Sequence, residues 1–287
     1  MKDKNSKYSE KNNERWDILA EMHSGAAEKG TAKYYDLEAL RDGKTSLFPV
    51  EIAELPDLKD KRVLHLQCHF GMDTISLARM GAKVVGVDYS EKAIAIANKL
   101  AEELRANATF IHSDIYKLPD LMVDDKESFD FVYTSHGVLC WLSDITAWGR
   151  IIEYFLKPGG QFYVRDHHPF VAVFDNEQTT MDFKVSIPYF NKGKPFRYES
   201  EGSYIDEDFL DNPSFVATVS YEWFHTLSDI VMALINAGLT LEFLHEHPTV
   251  SWKAFSYTRE LENGEWEIDK NDLNMPLTFS ILARKAI

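Results

Sequence analysis

Residues 62–88 read RVLHLQCHFGMDTISLARMGAKVVGVD, and their pattern decides the fold. RVLHLQ is a compact apolar run that ends in a turn at CHFG. A helical pattern follows to about residue 79, and KVVGVD is a second apolar run. Short continuous apolar runs separated by a helix are the pattern of parallel strands covered on both faces. The rhythm continues outward. Ser90 is placed to cap a helix whose Ala93, Ile94, Ala97, Leu100, Ala101 and Leu104 share one face. ATFIHSD (108–114) reads as a third strand and FDFVYTSH (129–136) as a fourth. A helix over 144–156 stops before Lys157-Pro158-Gly159-Gly160, and QFYVRDH (161–167) is a fifth strand. The expected fold is a doubly wound, Rossmann-like α/β sheet with helices on both faces.

The flanks differ. Upstream, the first dozen residues are polar and expected to fray; then Trp16, Leu19, Ala20 and His23 fall on one face of a short helix. A second short helix is expected over 46–54, with Ser46 as its cap. Downstream, FKVSIPYF (183–190), NKGK (191–194) and PFRYES (195–200) read as a β-hairpin, and SFVATVSY (214–221) as a further strand. A helix from about 226 to 237 ends at Gly238, and LTLEFLHEH (239–247) follows as a strand. A hairpin is expected around Asn263-Gly264, and PLTFSILARK (276–285) is the last strand. We expect a single domain over 1–287: an N-terminal helical extension or lid (1–59), a ligand-binding half (60–168), an antiparallel β insertion (169–222) and the rest of the sheet (223–287).

Composition narrows the function. Among 287 residues, 31 Lys+Arg against 46 Asp+Glu give 31 − 46 = −15, which argues against a nucleic acid as the main partner. The 45% hydrophobic content suffices for a sizeable core. Two cysteines, Cys68 and Cys140, make no disulfide framework or zinc spacing and read as small buried residues, so no metal site is expected. No signal peptide or run of 18 apolar residues is visible, so a cytoplasmic protein without a membrane span is expected.

In an open parallel sheet, ligands bind beyond the carboxyl ends of the strands. There stand Gln67-Cys68-His69-Phe70-Gly71 after the first strand and Asp88 at the end of the second. An acidic residue about twenty positions after the first turn can accept hydrogen bonds from ribose hydroxyls. Only Gly71 survives of a glycine-rich fingerprint, so a dinucleotide's pyrophosphate is poorly served. Asp114 and Ile115 reach the same edge after the third strand, where a carboxylate can pair with an adenine amino group beside an aliphatic cover. Each acid alone can equally be a turn residue; two at the ends of consecutive strands are more informative.

RVLHLQCHFGMDTISLARMGAKVVGVDYS, HSDIYKLP, FDFVYTSHGVLCWL and FLKPGGQFYVRD, in that order over about 60–167, together resemble class I S-adenosylmethionine-dependent methyltransferases. The resemblance implies a seven-stranded sheet whose last strand, PLTFSILARK, inserts antiparallel beside the sixth. It implies S-adenosylmethionine as cofactor and S-adenosylhomocysteine as product. Gln67, Cys68 and Gly71 would contact the methionine part, Asp88 the ribose, Tyr89 would pack near adenine, and Asp114 with Ile115 would hold it. His65, Gln67 and His69 stand where the family has an acid and two glycines.

Methyl transfer needs positioning, desolvation and, for some acceptors, a base. His136 past strand four and His167 past strand five are the expected catalytic histidines, with Asp166 and His168 beside His167; each can equally satisfy turn groups. The aromatics Trp16, Tyr34, Tyr35 and, in the insertion, Phe170, Phe174, Tyr189, Phe190, Tyr198 and Tyr204 can form a lid and acceptor pocket, plain packing or a dimer contact. No [DNS]PP[YFW] tetrapeptide is present and no Pro-Cys pair follows strand four, so DNA-base acceptors are disfavoured and a small organic acceptor is expected. A non-catalytic adenosyl-binding protein and a nicotinamide-dependent oxidoreductase are the alternatives.

Overall fold

A computed structural model describes residues 6–32, 34–174, 184–190, 193–200, 218–269 and 275–287. Three helices precede the sheet: α1 (Ser6–Glu28), α2 (Leu37–Arg41) and α3 (Pro49–Glu54). Then come β1 (Arg62–Leu66), α4 (Met72–Arg79), β2 (Lys83–Asp88), α5 (Glu91–Leu104), β3 (Ala108–His112), α6 (Leu118–Leu121), β4 (Phe129–Ser135), α7 (Ile145–Phe155) and β5 (Leu156–His167). The remainder comprises β6 (Phe196–Ser200), β7 (Thr218–Glu222), α8 (Leu227–Asn236), β8 (Leu239–His247), β9 (Thr249–Val250), β10 (Thr258–Glu260), β11 (Trp266–Ile268) and β12 (Thr278–Lys285).

The main sheet has seven strands in the order β3-β2-β1-β4-β5-β12-β8. β1 to β5 run parallel, while β12 is antiparallel to both β5 and β8. This is the expected fold class. Side chains of a strand alternate between faces, and here neighbours enter opposite cores. Leu64, Val132, Phe162 and Val164 pack with Trp148 and Ile152 of α7 and Leu234 of α8. Val63, Phe131, Tyr133 and Tyr163 pack with Leu77 of α4 and with Leu47, Leu55 and Leu58 ahead of β1. Strand order reverses between β1 and β4, and the crevice there opens at the strands' carboxyl ends.

The flanks carry the corrections. Of the polar first dozen residues, expected to fray, those described (6–12) are helical: α1 starts at Ser6, and Asn12 donates to the Tyr221 carbonyl (2.7 Å) and accepts from its N–H (2.8 Å). Ser46 caps no helix. α3 begins at Pro49, which presets the first helical turn, and the Ser46 hydroxyl instead donates to Asp73 (2.6 Å). α2, which the sequence reading lacks, is capped by Asp36. Among the described residues, the FKVSIPYF–PFRYES hairpin does not form: residues 184–190 hold one isolated bridge, Phe174 to Val185, and β6 pairs with β7 instead. Pro188 lacks the N–H a ladder needs. β5 starts at Leu156 rather than Gln161, taking in the Lys-Pro-Gly-Gly run. Asn263 and Gly264 sit in the turn between β10 and β11, as expected. Tyr204 and residues 214–217 of the expected strand lie outside the described residues. Among those described, no helix is long and apolar enough to cross a membrane.

Candidate active site

Two cavities meet at the carboxyl ends of the strands, and Gly137 lines both. The first brings together Gln67, Cys68, Gly71, Asp88, Tyr89, Asp114, Ile115 and His136. His167 stands apart, in the wall of the second.

The β1–α4 turn builds the floor of the first cavity. Gln67, His69 and Gly71 have φ values of 58°, 50° and 85°. Only glycine adopts such backbone freely; for the other two it costs about 1–2 kcal/mol each. Local bonds offset that strain. The Cys68 N–H donates to the Val87 carbonyl (2.9 Å), and the Gln67 amide donates to the Val138 carbonyl (3.0 Å). The His69 N–H donates to Asp88 (2.8 Å), while the His69 Nε2 lies 3.1 Å from Nδ1 of His23. Gly71 is also sterically fixed, since a Cβ there would sit 2.7 Å from the Phe110 ring.

Asp88 accepts from Ser90 N–H (2.9 Å) as well, and burial raises its carboxyl above the usual range. Asp114 caps its turn by accepting from Tyr116 N–H (3.0 Å), so it fills the bland role and lines the cavity too. The Gln67 Oε1 is buried with no hydrogen-bond partner among the described residues.

The sequence reading missed part of this wall. Phe48, Asp73 and Asn13 also line the cavity. Asp73 accepts from the hydroxyls of Ser46 and Ser135 (2.6 and 3.1 Å). Its signal was hidden, because an acid in the first turn of a helix is explained by the helix dipole alone.

A loop after β4 separates the cavities. His136 and Gly137 have φ values of 21° and 70°. Asp166 fastens the loop, accepting from the N–H groups of Gly137, Val138, Leu139 and His167 at 2.6, 3.1, 2.9 and 2.6 Å. The Trp141 indole donates to the Gly137 carbonyl (2.8 Å). The His136 Nε2 lies 3.4 Å from both the Arg165 guanidinium and the buried Glu51 carboxylate. Burial and Arg165 push His136 down to about 4, which makes it a weak proton acceptor at neutral pH. Arg165 itself is fully buried and paired with Glu265.

The second cavity, about 710 Å³, lies within the range that holds a drug-sized molecule. Its wall includes Trp223, Trp252, Phe255, Phe196 and Tyr198, with Arg15, Arg197, His167, Glu199 and Glu222 among its polar groups. The Trp252 indole donates to His167 Nε2 (3.1 Å), so that nitrogen is already an acceptor and the proton resides on Nδ1. Phe174 lines this cavity, whereas Phe190 is 80% exposed. Burial raises the thiols of Cys68 and Cys140, which suits inert packing residues. Among the described residues, no group of three or more His, Cys, Asp or Glu could hold a metal ion.

Comparison with known proteins gives this geometry a family. A methyltransferase-domain family model matches residues 57–202. The chain is 39% identical over 80 residues to a magnesium-protoporphyrin O-methyltransferase of Rhodobacter capsulatus, covering 27% of this chain and 36% of that one. It is 32% identical over 106 residues to a ubiquinone biosynthesis O-methyltransferase of Coxiella burnetii, covering 37% and 43%. The match thus spans less than half the length of these relatives. An S-adenosylmethionine-dependent methyltransferase from Mesorhizobium loti has the same fold, with a TM-score of 0.56 and 21% identity over 85% of this chain and all of that one.

Proposed function

The chain belongs to the class I S-adenosylmethionine-dependent methyltransferases, and from that premise we propose that it transfers a methyl group from S-adenosylmethionine to a small organic acceptor. The observation that carries this reading is the first cavity. It gathers two strand-end carboxylates, an aliphatic cover and the β1–α4 turn around one space.

The residues fit the cofactor. The unpartnered Gln67 Oε1 offers an acceptor to an ammonium group. Asp88 faces the cavity with a carboxylate for ribose hydroxyls, and Asp114 with Ile115 for adenine. When bound, the cofactor supplies a methyl already activated on sulfonium. The chain's share is to hold two ligands in line where the cavities meet at Gly137 and to exclude water. The names of the two relatives support an oxygen acceptor. The aromatic-rich second cavity, adjoining the first at Gly137, supports a small molecule over a macromolecule.

Calorimetric titration with S-adenosylmethionine and S-adenosylhomocysteine tests the premise. Both should bind, and Asp88→Ala should weaken them at least tenfold, about 1.4 kcal/mol. A folded protein that binds neither would sink this reading and favour a nicotinamide ligand.

A further inference from the structure

Resting on that reading, we propose that the second cavity takes a planar aromatic acceptor bearing a hydroxyl group, and that Glu222 removes the hydroxyl proton. β7 carries Glu222 to the partition between the cavities, where the next residue's N–H, from Trp223, donates to the Cys140 carbonyl (2.8 Å). Among the described residues, the carboxylate accepts a long hydrogen bond from the Ser220 hydroxyl of its own strand, at 3.4 Å.

The other basic groups here are committed. Both Asp166 oxygens hold backbone N–H groups, His167 Nε2 holds the Trp252 indole, and His136 lies against Arg165. Trp252, Phe255 and Phe196 give the cavity flat apolar walls, which favour stacking with a ring. Arg15 and Arg197 stand in the same lining as Asp166, Glu199 and Glu222, so the cavity carries charge of both signs.

Charge around Glu222 is mixed. Arg15 of α1 favours its ionised form, while Tyr198 of β6 and Cys140 of the loop are themselves raised by its charge. Burial dominates and lifts Glu222 to about 7, where a carboxylate is a competent base near neutral pH. In the step, a lone pair of the acceptor oxygen forms a bond to the methyl carbon as the carbon–sulfur bond breaks. That bond's electrons stay on sulfur, which becomes a neutral thioether. The hydroxyl proton passes to Glu222 and then to water.

The test uses the full chain with catechol and 4-methylphenol, neither of which ionises near neutral pH, as acceptors and anisole as the control without a hydroxyl. S-adenosylhomocysteine binding is verified first; its failure indicts the methyltransferase reading itself. With it intact, methylated phenol should appear by mass spectrometry, on a profile whose rate rises with pH through about 7. Glu222→Gln should lower kcat about 100-fold with little change in KM and remove that rise. Glu222→Asp, which keeps the carboxylate, should recover part of both. A protein that binds S-adenosylhomocysteine but neither binds nor methylates these phenols overturns the acceptor class. Unchanged kcat and pH profile in Glu222→Gln overturn the role of Glu222.

Discussion

The two cavities share one loop yet are assembled in opposite ways. The first rests on a sheet whose strands follow each other in sequence, so that Gln67, Asp88, Asp114 and His136 arrive at one edge from successive strand ends. The second is walled by α1, the end of β5, β6, β7 and residues 250–255, brought together only by tertiary folding. Scaffold rigidity in the first and dispersed origin in the second predict different responses to substitution. The first should punish small changes in volume; the second should tolerate them and answer instead to charge.

The largest effect should fall on the part common to both. Asp166→Asn replaces an acceptor of four N–H groups by an amide that must turn an NH₂ toward some of them, and should cost about 3 kcal/mol in urea denaturation. It should also weaken S-adenosylhomocysteine binding; retention of both would mean the loop holds itself. Gly86→Ala probes the rigid side. Its added methyl would meet the Phe110 ring at 2.7 Å and Cys68 Sγ at 3.0 Å, so a loss of about 1–3 kcal/mol is expected. A neutral result would show that the β1–β2 floor gives way and would erase the contrast.

On the adaptable side the readout is pH. Glu222 is raised in the folded state from 4.5 to about 7, so its contribution to stability is full below 4.5 and lost as pH rises through 7. Glu222→Gln should therefore gain on the parent by about 1–2 kcal/mol between pH 5 and 8, water in the cavity reducing the full shift. Parallel stability curves would show a solvated carboxylate. The smallest effect is expected at Phe190, 80% exposed, where Phe190→Ser should stay within about 0.5 kcal/mol. A larger loss of melting temperature would assign that ring a packing role.

The same contrast explains what the sequence disclosed. RVLHLQ, KVVGVD and the strands to QFYVRDH signal themselves by local hydrophobic runs, and strand ends are sites by topology, so Asp88 and Asp114 could be named without coordinates. Glu222 could not. It lies 55 residues beyond His167 (222 − 167), and although the aromatics of the 169–222 insertion suggest an acceptor pocket, nothing in the sequence singles out its last residue. Phe48 and Glu51 were hidden similarly, at the cap and in the first turn of a short helix ahead of β1, with partners, His136 and Tyr133, that come from β4 and the loop after it. The start of α1 misled for a complementary reason. Its polar residues look unattached until Asn12 meets the backbone of β7.

That helix has a kinetic consequence. Adjacent residues of α1 face different chambers, Arg15 the second and Trp16 the first, and Asn12 ties the helix to the strand bearing Glu222. On the proposed function, one helix thus borders the chambers of both donor and acceptor. Displacing it would unseal both at once, which would make product departure a concerted event and bind the two occupancies thermodynamically. Each ligand should tighten the other by the same factor.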